Sequence, residues 1–106
     1  MSGLQHVGML TFVDDATEEQ VGAIVEGLSA LPGVIPGLVG FTLMPDAGLQ
    51  DGGRRLAFVA DFESEDAWRA YGDHPAHQAV VVDLIRPILA TKNFVQSRTA
   101  DRVIAP

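Results

Sequence analysis

From Gln5 to Val13 apolar residues fall on both alternations of the chain: Val7, Met9, Thr11 and Val13 on one, Leu4, His6, Gly8, Leu10 and Phe12 on the other. Valine, threonine and phenylalanine favour a strand, and a strand apolar on both faces is one covered on both faces. Asp14-Asp15-Ala16 supplies a turn. The period then changes. Val21, Ile24, Val25, Leu28 and Leu31 recur at helical spacing, which predicts a helix running to about Leu31. Thr17 and Gln20 have the spacing of a capping box, and Glu18 and Glu19 sit at the positive end of the helix dipole. Pro32-Gly33 ends the helix and Pro36-Gly37 punctuates the chain again.

Leu38 to Met44 reads as a second strand, with Phe41 and Leu43 on one face, and Leu56 to Phe62 as a third. Between them, Pro45 to Arg54 has little to bury and reads as a mobile surface loop, so the two strands form an antiparallel hairpin. Ser64 is placed to cap a short helix containing Ala67, Trp68, Ala70 and Tyr71, with Glu65 and Asp66 in its first turn. Gly72-Asp73 interrupts it. His74 precedes a proline and is biased away from helical torsions, while Pro75 suits the first position of a new helix. That helix carries Val80, Val81, Leu84, Ile85, Ile88 and Leu89, with Pro87 forcing a kink or an end near Arg86. Thr91 to Ser97 is a last strand and residues 99–106 read as a loose tail.

This order, strand-helix-strand-strand-helix-strand, predicts an α+β, ferredoxin-like βαββαβ protomer: a four-stranded antiparallel sheet with helices on one face. The two-sided first strand says that the other face is also buried. Sheet-to-sheet dimerisation is the simplest way to do so.

With 106 residues the chain is one domain, its core at about 4–97. No apolar run reaches the ~20 residues of a membrane span, and the first residues lack the basic and apolar regions of a secretory signal. There is no cysteine, hence no disulfide, thiolate nucleophile or cysteine metal site, and a cytoplasmic location fits. Seven basic residues against fourteen acidic ones give a net charge of −7. Nucleic acid and anionic membrane are therefore excluded as expected partners.

The chemistry concentrates in Tyr71-Gly72-Asp73-His74-Pro75-Ala76-His77-Gln78, which holds two of the three histidines and the only tyrosine. His6 is the other polar oddity, in an apolar strand. His6-Val7, Leu31-Pro32-Gly33 through Pro36-Gly37, Asp61-Phe62-Glu63 and Tyr71-x-x-His74-Pro75-x-His77 follow one another in a known order. Together they resemble the stress-responsive dimeric α/β-barrel (Dabb) domain family, over about residues 4–97. The resemblance implies a homodimer built by pairing sheet faces. It also implies a comparison with a plant polyketide cyclase of that family, which closes a linear polyketone by aldol condensation without a cofactor. Carried over by position, the catalytic set is His6, Tyr71 and His77.

An aldol cyclisation needs a base to take a proton between two carbonyls and a donor to hold the enolate. A neutral imidazole at His77 suits the first task and Tyr71 the second. On one unbroken helix Tyr71 and His77 would face apart, but the Gly72–Pro75 break lets both turn inward. His6 would then meet them from the sheet, and Leu10, Ile24, Leu28, Phe58 and His74 would complete a small-molecule pocket. Each polar residue also has a structural reading. His74 or His77 can cap the new helix or bond a backbone carbonyl, Tyr71 can fill the break, and His6 can be a satisfied core histidine. A metal pair at His74 and His77 is disfavoured by Pro75 and by the lack of further ligands. Trp68, expected in the core, raises the related monooxygenases and haem-handling enzymes as an alternative. A third alternative is a non-catalytic stress-response dimer.

Overall fold

The computed structural model describes residues 3–106. Strands β1 (Leu4–Phe12), β2 (Leu38–Pro45), β3 (Arg55–Phe62) and β4 (Leu89–Arg98) form one antiparallel sheet in the order β2-β3-β1-β4. Helices α1 (Glu18–Ser29), α2 (Glu65–Gly72) and α3 (Pro75–Val80) pack on one side of it. This is the expected ferredoxin-like βαββαβ plan with its second helix broken. No helix among the described residues is long and apolar enough to cross a membrane.

The register explains which residues form the core. His6 lies opposite Ala60, Gly8 opposite Phe58 and Leu10 opposite Leu56. Side chains in register share a face, so these six positions, with Leu4, Phe12 and Phe62, turn toward the helices. All the non-glycine members of this set are buried. The other face carries Val7 beside Val59 and Val95, and Met9 beside Ala57 and Asn93. Its end is polar, where the Gln5 amide donates to Asp61 Oδ1 at 2.9 Å. Met9 is 40% exposed and Val95 57%, so this apolar band is open in the single chain.

Helix α1 starts with both halves of the capping box: Gln20 N–H donates to Thr17 Oγ1 at 3.2 Å and Thr17 N–H to Gln20 Oε1 at 2.9 Å. It ends at Ser29, two residues before Leu31, which is buried in the following turn instead. Gly37 has a φ of +81°, and a Cβ there would strike the Ala67 side chain. Its freedom lets the start of α2 lie directly against the entry to β2. The hairpin loop is closed at its base by Arg55 Nε and Asp46 Oδ2 at 2.8 Å.

After α3 the chain widens into a π-helical turn, Val81–Ile85, then tightens into a 3-10 turn, Arg86–Ile88. Pro87 has no N–H to continue a helix. Leu89, expected within the helix, therefore opens β4 opposite Phe12. At the far end, Thr99 N–H donates to the Gly3 carbonyl at 2.9 Å, which ties the start of the C-terminal segment to the sheet.

Ile24 is 0% exposed at the centre of the helix-facing core. Ile24→Ala should therefore cost about 2–5 kcal/mol of stability, from lost transfer energy and a residual cavity. Urea unfolding of the variant checks this.

Candidate functional site at the broken helix

The break between α2 and α3 is written in four residues. Helix α2 ends at Gly72, and His74 N–H donates to the Tyr71 carbonyl at 3.1 Å. His74 is extended, as a residue before proline should be, and its Nδ1 accepts the Ala76 N–H at 3.1 Å. Pro75 then starts α3. The re-entry brings His77 back over Tyr71, their ring centroids 3.9 Å apart and planes 33° inclined.

A helix end leaves carbonyls without intrahelical partners. Here the Gly72 carbonyl accepts from two side chains of the next helix: His77 Nδ1 at 3.2 Å and Gln78 Nε2 at 2.6 Å. A carbonyl can only accept, so Nδ1 of His77 carries the proton and Nε2 keeps its lone pair. Burial lowers the pKa of His77, a nearby His74 lowers it further, and the bond to Gly72 works against both. The ring is a neutral base near neutrality.

Beneath it lies a cavity of about 560 Å³ between the sheet and the broken helix. His6, Leu10, Phe58 and Phe94 form its floor, and Trp68, Tyr71, His77 and Gln78 its roof. A Cβ at Gly8 would run into the Phe58 and Phe94 rings, so that glycine makes the room in which the two rings close around His6. The His6 ring is 5.1 Å from Phe94, 5.5 Å from Phe58 and 6.2 Å from Tyr71.

The Gln96 amide nitrogen lies 2.9 Å from His6 Nδ1. An amide nitrogen only donates, so Nδ1 accepts and Nε2 of His6 bears the hydrogen. Burial, with a smaller contribution from His77, pushes the His6 pKa down to about 4. Burial also raises the Tyr71 phenol well above its ordinary value, which keeps it a donor. Among the described residues its hydroxyl has no hydrogen-bond partner in the protein, yet no buried side-chain polar atom is left unsatisfied. The hydroxyl therefore keeps some access to solvent, and Tyr71 lines the cavity.

The sequence matches the model of the stress responsive A/B barrel domain (Dabb) over residues 4–101. The chain belongs to that family. The fold agrees with solved relatives. A dimeric ferredoxin-like protein of unknown function from Thermobifida fusca is 38% identical, with a TM-score of 0.78, over 91% of this chain and 90% of that one. An Arabidopsis thaliana protein is 21% identical, with a TM-score of 0.79, over 95% and 99%. The hydroxynitrile lyase of Passiflora edulis is 12% identical, with a TM-score of 0.78, over 96% and 97%. No curated protein sequence matches the chain.

Within this Dabb domain the structure brings His6, Tyr71 and His77 to one cavity, with Leu10, Leu28 and Phe58 on its walls. Two residues expected there lie elsewhere. Ile24 is sealed in the core, and His74 spends its Nδ1 capping α3, so neither lines the cavity. Trp68 packs against the core as expected and also lines the cavity, 6.1 Å from His6. Gln78, Gln96 and Phe94 were not singled out as site residues. Their signal was present: Gln78 adjoins His77, and Phe94 and Gln96 alternate on the β4 face opposite Gly8 and His6. Among the described residues no group of three metal-ligating side chains comes together.

His6 takes up a proton in the unfolded chain near pH 6.5 but in the folded one only near 4. Between these values the unfolded state binds more protons, so stability rises with pH there and is lost as pH falls through the window. The water-accessible cavity moderates the loss to on the order of 2 kcal/mol. Urea unfolding across this range should show that slope, and His6→Gln should flatten it.

Proposed function

We propose that the cavity binds a small, largely apolar carbonyl compound and that His77 removes a proton from the carbon beside the carbonyl. The observation that carries this reading is the Gly72 carbonyl holding His77 Nδ1–H, which leaves a basic Nε2 in a cavity shared with Tyr71 and His6. The C–H bond breaks, its proton passes to His77 Nε2, and the electron pair moves onto the carbonyl oxygen. Tyr71 O–H and His6 Nε2–H are the donors for that enolate oxygen, in an environment where apolar walls strengthen each hydrogen bond. The enolate carbon then attacks a second carbonyl of the same molecule, and the new alkoxide recovers the proton from His77. This is an aldol cyclisation of a polyketide-like chain and needs no cofactor. Run in the opposite sense, the same step is a lyase reaction. A hydroxynitrile lyase on this fold supports the view that the architecture hosts an enzyme.

The test is exchange of the α-proton of an aryl β-diketone with solvent deuterium, followed by NMR. The protein should accelerate exchange over the spontaneous rate. His77→Ala should remove about a hundredfold or more of that acceleration, and Tyr71→Phe should reduce it while leaving diketone binding in place. Exchange no faster than in buffer, with a diketone that leaves the His77 resonances unmoved, overturns the reading.

The same reading places the active protomer in a homodimer. The open band of Val7, Met9, Val59 and Val95 is apolar, and the Thermobifida fusca relative is described as dimeric. Sheet-to-sheet pairing would cover the band. Val7→Asp sets a charge at its centre and should convert a dimer to a monomer in sedimentation equilibrium.

A further inference from the structure

The charges around the cavity set a requirement on its ligand. Four of the seven cations have a carboxylate partner: Arg54 with Glu18, Arg55 with Asp46, and Arg69 and Arg98 both with Glu65. Among the described residues Arg86, Lys92 and Arg102 have none, and two of these three, Arg86 and Lys92, line the cavity. No aspartate or glutamate lines it. In a chain of net charge −7 that is a local reversal of sign.

The two residues are delivered by different elements. Arg86 begins the 3-10 turn that follows the π-helical turn. Lys92 is opposite Leu10 in the sheet, which puts it on the helix-facing side. Its Nζ stands 5.8 Å from the centroid of the Phe94 ring, itself part of the cavity floor. Cation–π contact at a solvent-open ring is a weak hold, which a charge-assisted hydrogen bond to an anion outweighs. Elsewhere the acidic surface repels an anion. Here an apolar chamber is lined by two cations without partners.

We propose that the ligand of this cavity is an amphipathic carboxylate, its apolar body against the aromatic floor and its anionic head on Arg86 and Lys92. The inference rests on the reading of the cavity as a ligand site and adds the class of molecule that it takes. A phosphate would call for the denser donor set of a glycine-rich loop or a free helix start, and the start of α3 is already capped by His74.

Calorimetric titration with phenylbutyrate, phenylbutanol, phenylbutylamine and phenylbutyl phosphate tests it, since these share a body and differ in the head. Phenylbutyrate should bind about tenfold more tightly than phenylbutanol, with phenylbutylamine weakest, and the advantage should shrink as salt is added. Arg86→Gln combined with Lys92→Gln should bring phenylbutyrate down to phenylbutanol. Both positions are exposed, and a thermal melt verifies that the variant is folded. If phenylbutanol binds as tightly as phenylbutyrate in the unsubstituted protein, the charge assignment falls while the cavity stands. Tighter binding of the phosphate overturns the choice of a carboxylate. Binding of none of the four removes the ligand site and this inference together.

Discussion

A helix that stops leaves its final carbonyls facing a deficit, and at Gly72 two side chains from the next helix make it good. Much of the site depends on that shared acceptor. It fixes the hydrogen on Nδ1 of His77, leaves Nε2 with its lone pair, and holds the imidazole against the Tyr71 ring. A continuous helix would have used the same carbonyl for its own ladder and pointed the two rings apart. His74 makes the arrangement self-supporting, because its side chain caps the helix that carries His77. The two histidines of one short stretch thus do different things: His74 caps α3, and His77 bonds the Gly72 carbonyl and lines the cavity.

Below the helices the floor is set by an absence. Gly8 removes the one side chain that would separate Phe58 from Phe94, and the rings close to 6.0 Å around a histidine that burial keeps neutral. Neutral His6, a protonated phenol at Tyr71 and a neutral His77 give the cavity two hydrogen donors and one acceptor without any buried charge. This is an economical way to keep polar groups in a largely apolar chamber, where an unpaired charge would cost several kcal/mol.

Those parts of the fold governed by local chemistry were legible in the sequence. Thr17 and Gln20 form the capping box that their spacing announced, Ser64 caps α2, and His74-Pro75 restarts a helix where torsional bias requires it. The two-sided apolarity of β1 revealed a sheet with a second face to cover. What sequence could not supply was depth. Ile24 and Leu28 share a helix face, yet the first is sealed in the core and the second reaches the cavity. Trp68 packs against the core and lines the cavity as well, which helical spacing alone does not reveal. Leu89 changed element because Pro87 ended the helix sooner than the apolar spacing implied. Arg86 and Lys92 lie in different elements, a turn and a strand, that meet at one cavity only in the folded chain.

Strand β1 writes two surfaces in alternate letters: His6, Gly8 and Leu10 build the chamber, while Val7 and Met9 build the band on the reverse of the sheet. Because the period is two, a single-residue insertion or deletion within the strand would exchange the two sets wholesale. It would send the histidine outward and drive a valine and a methionine into the space beneath Tyr71. Neither surface can be edited by changing length, only by changing side chains one at a time. Diversification of such a protein is thereby steered away from this strand and toward the exposed loop between β2 and β3, where length is unconstrained by either surface.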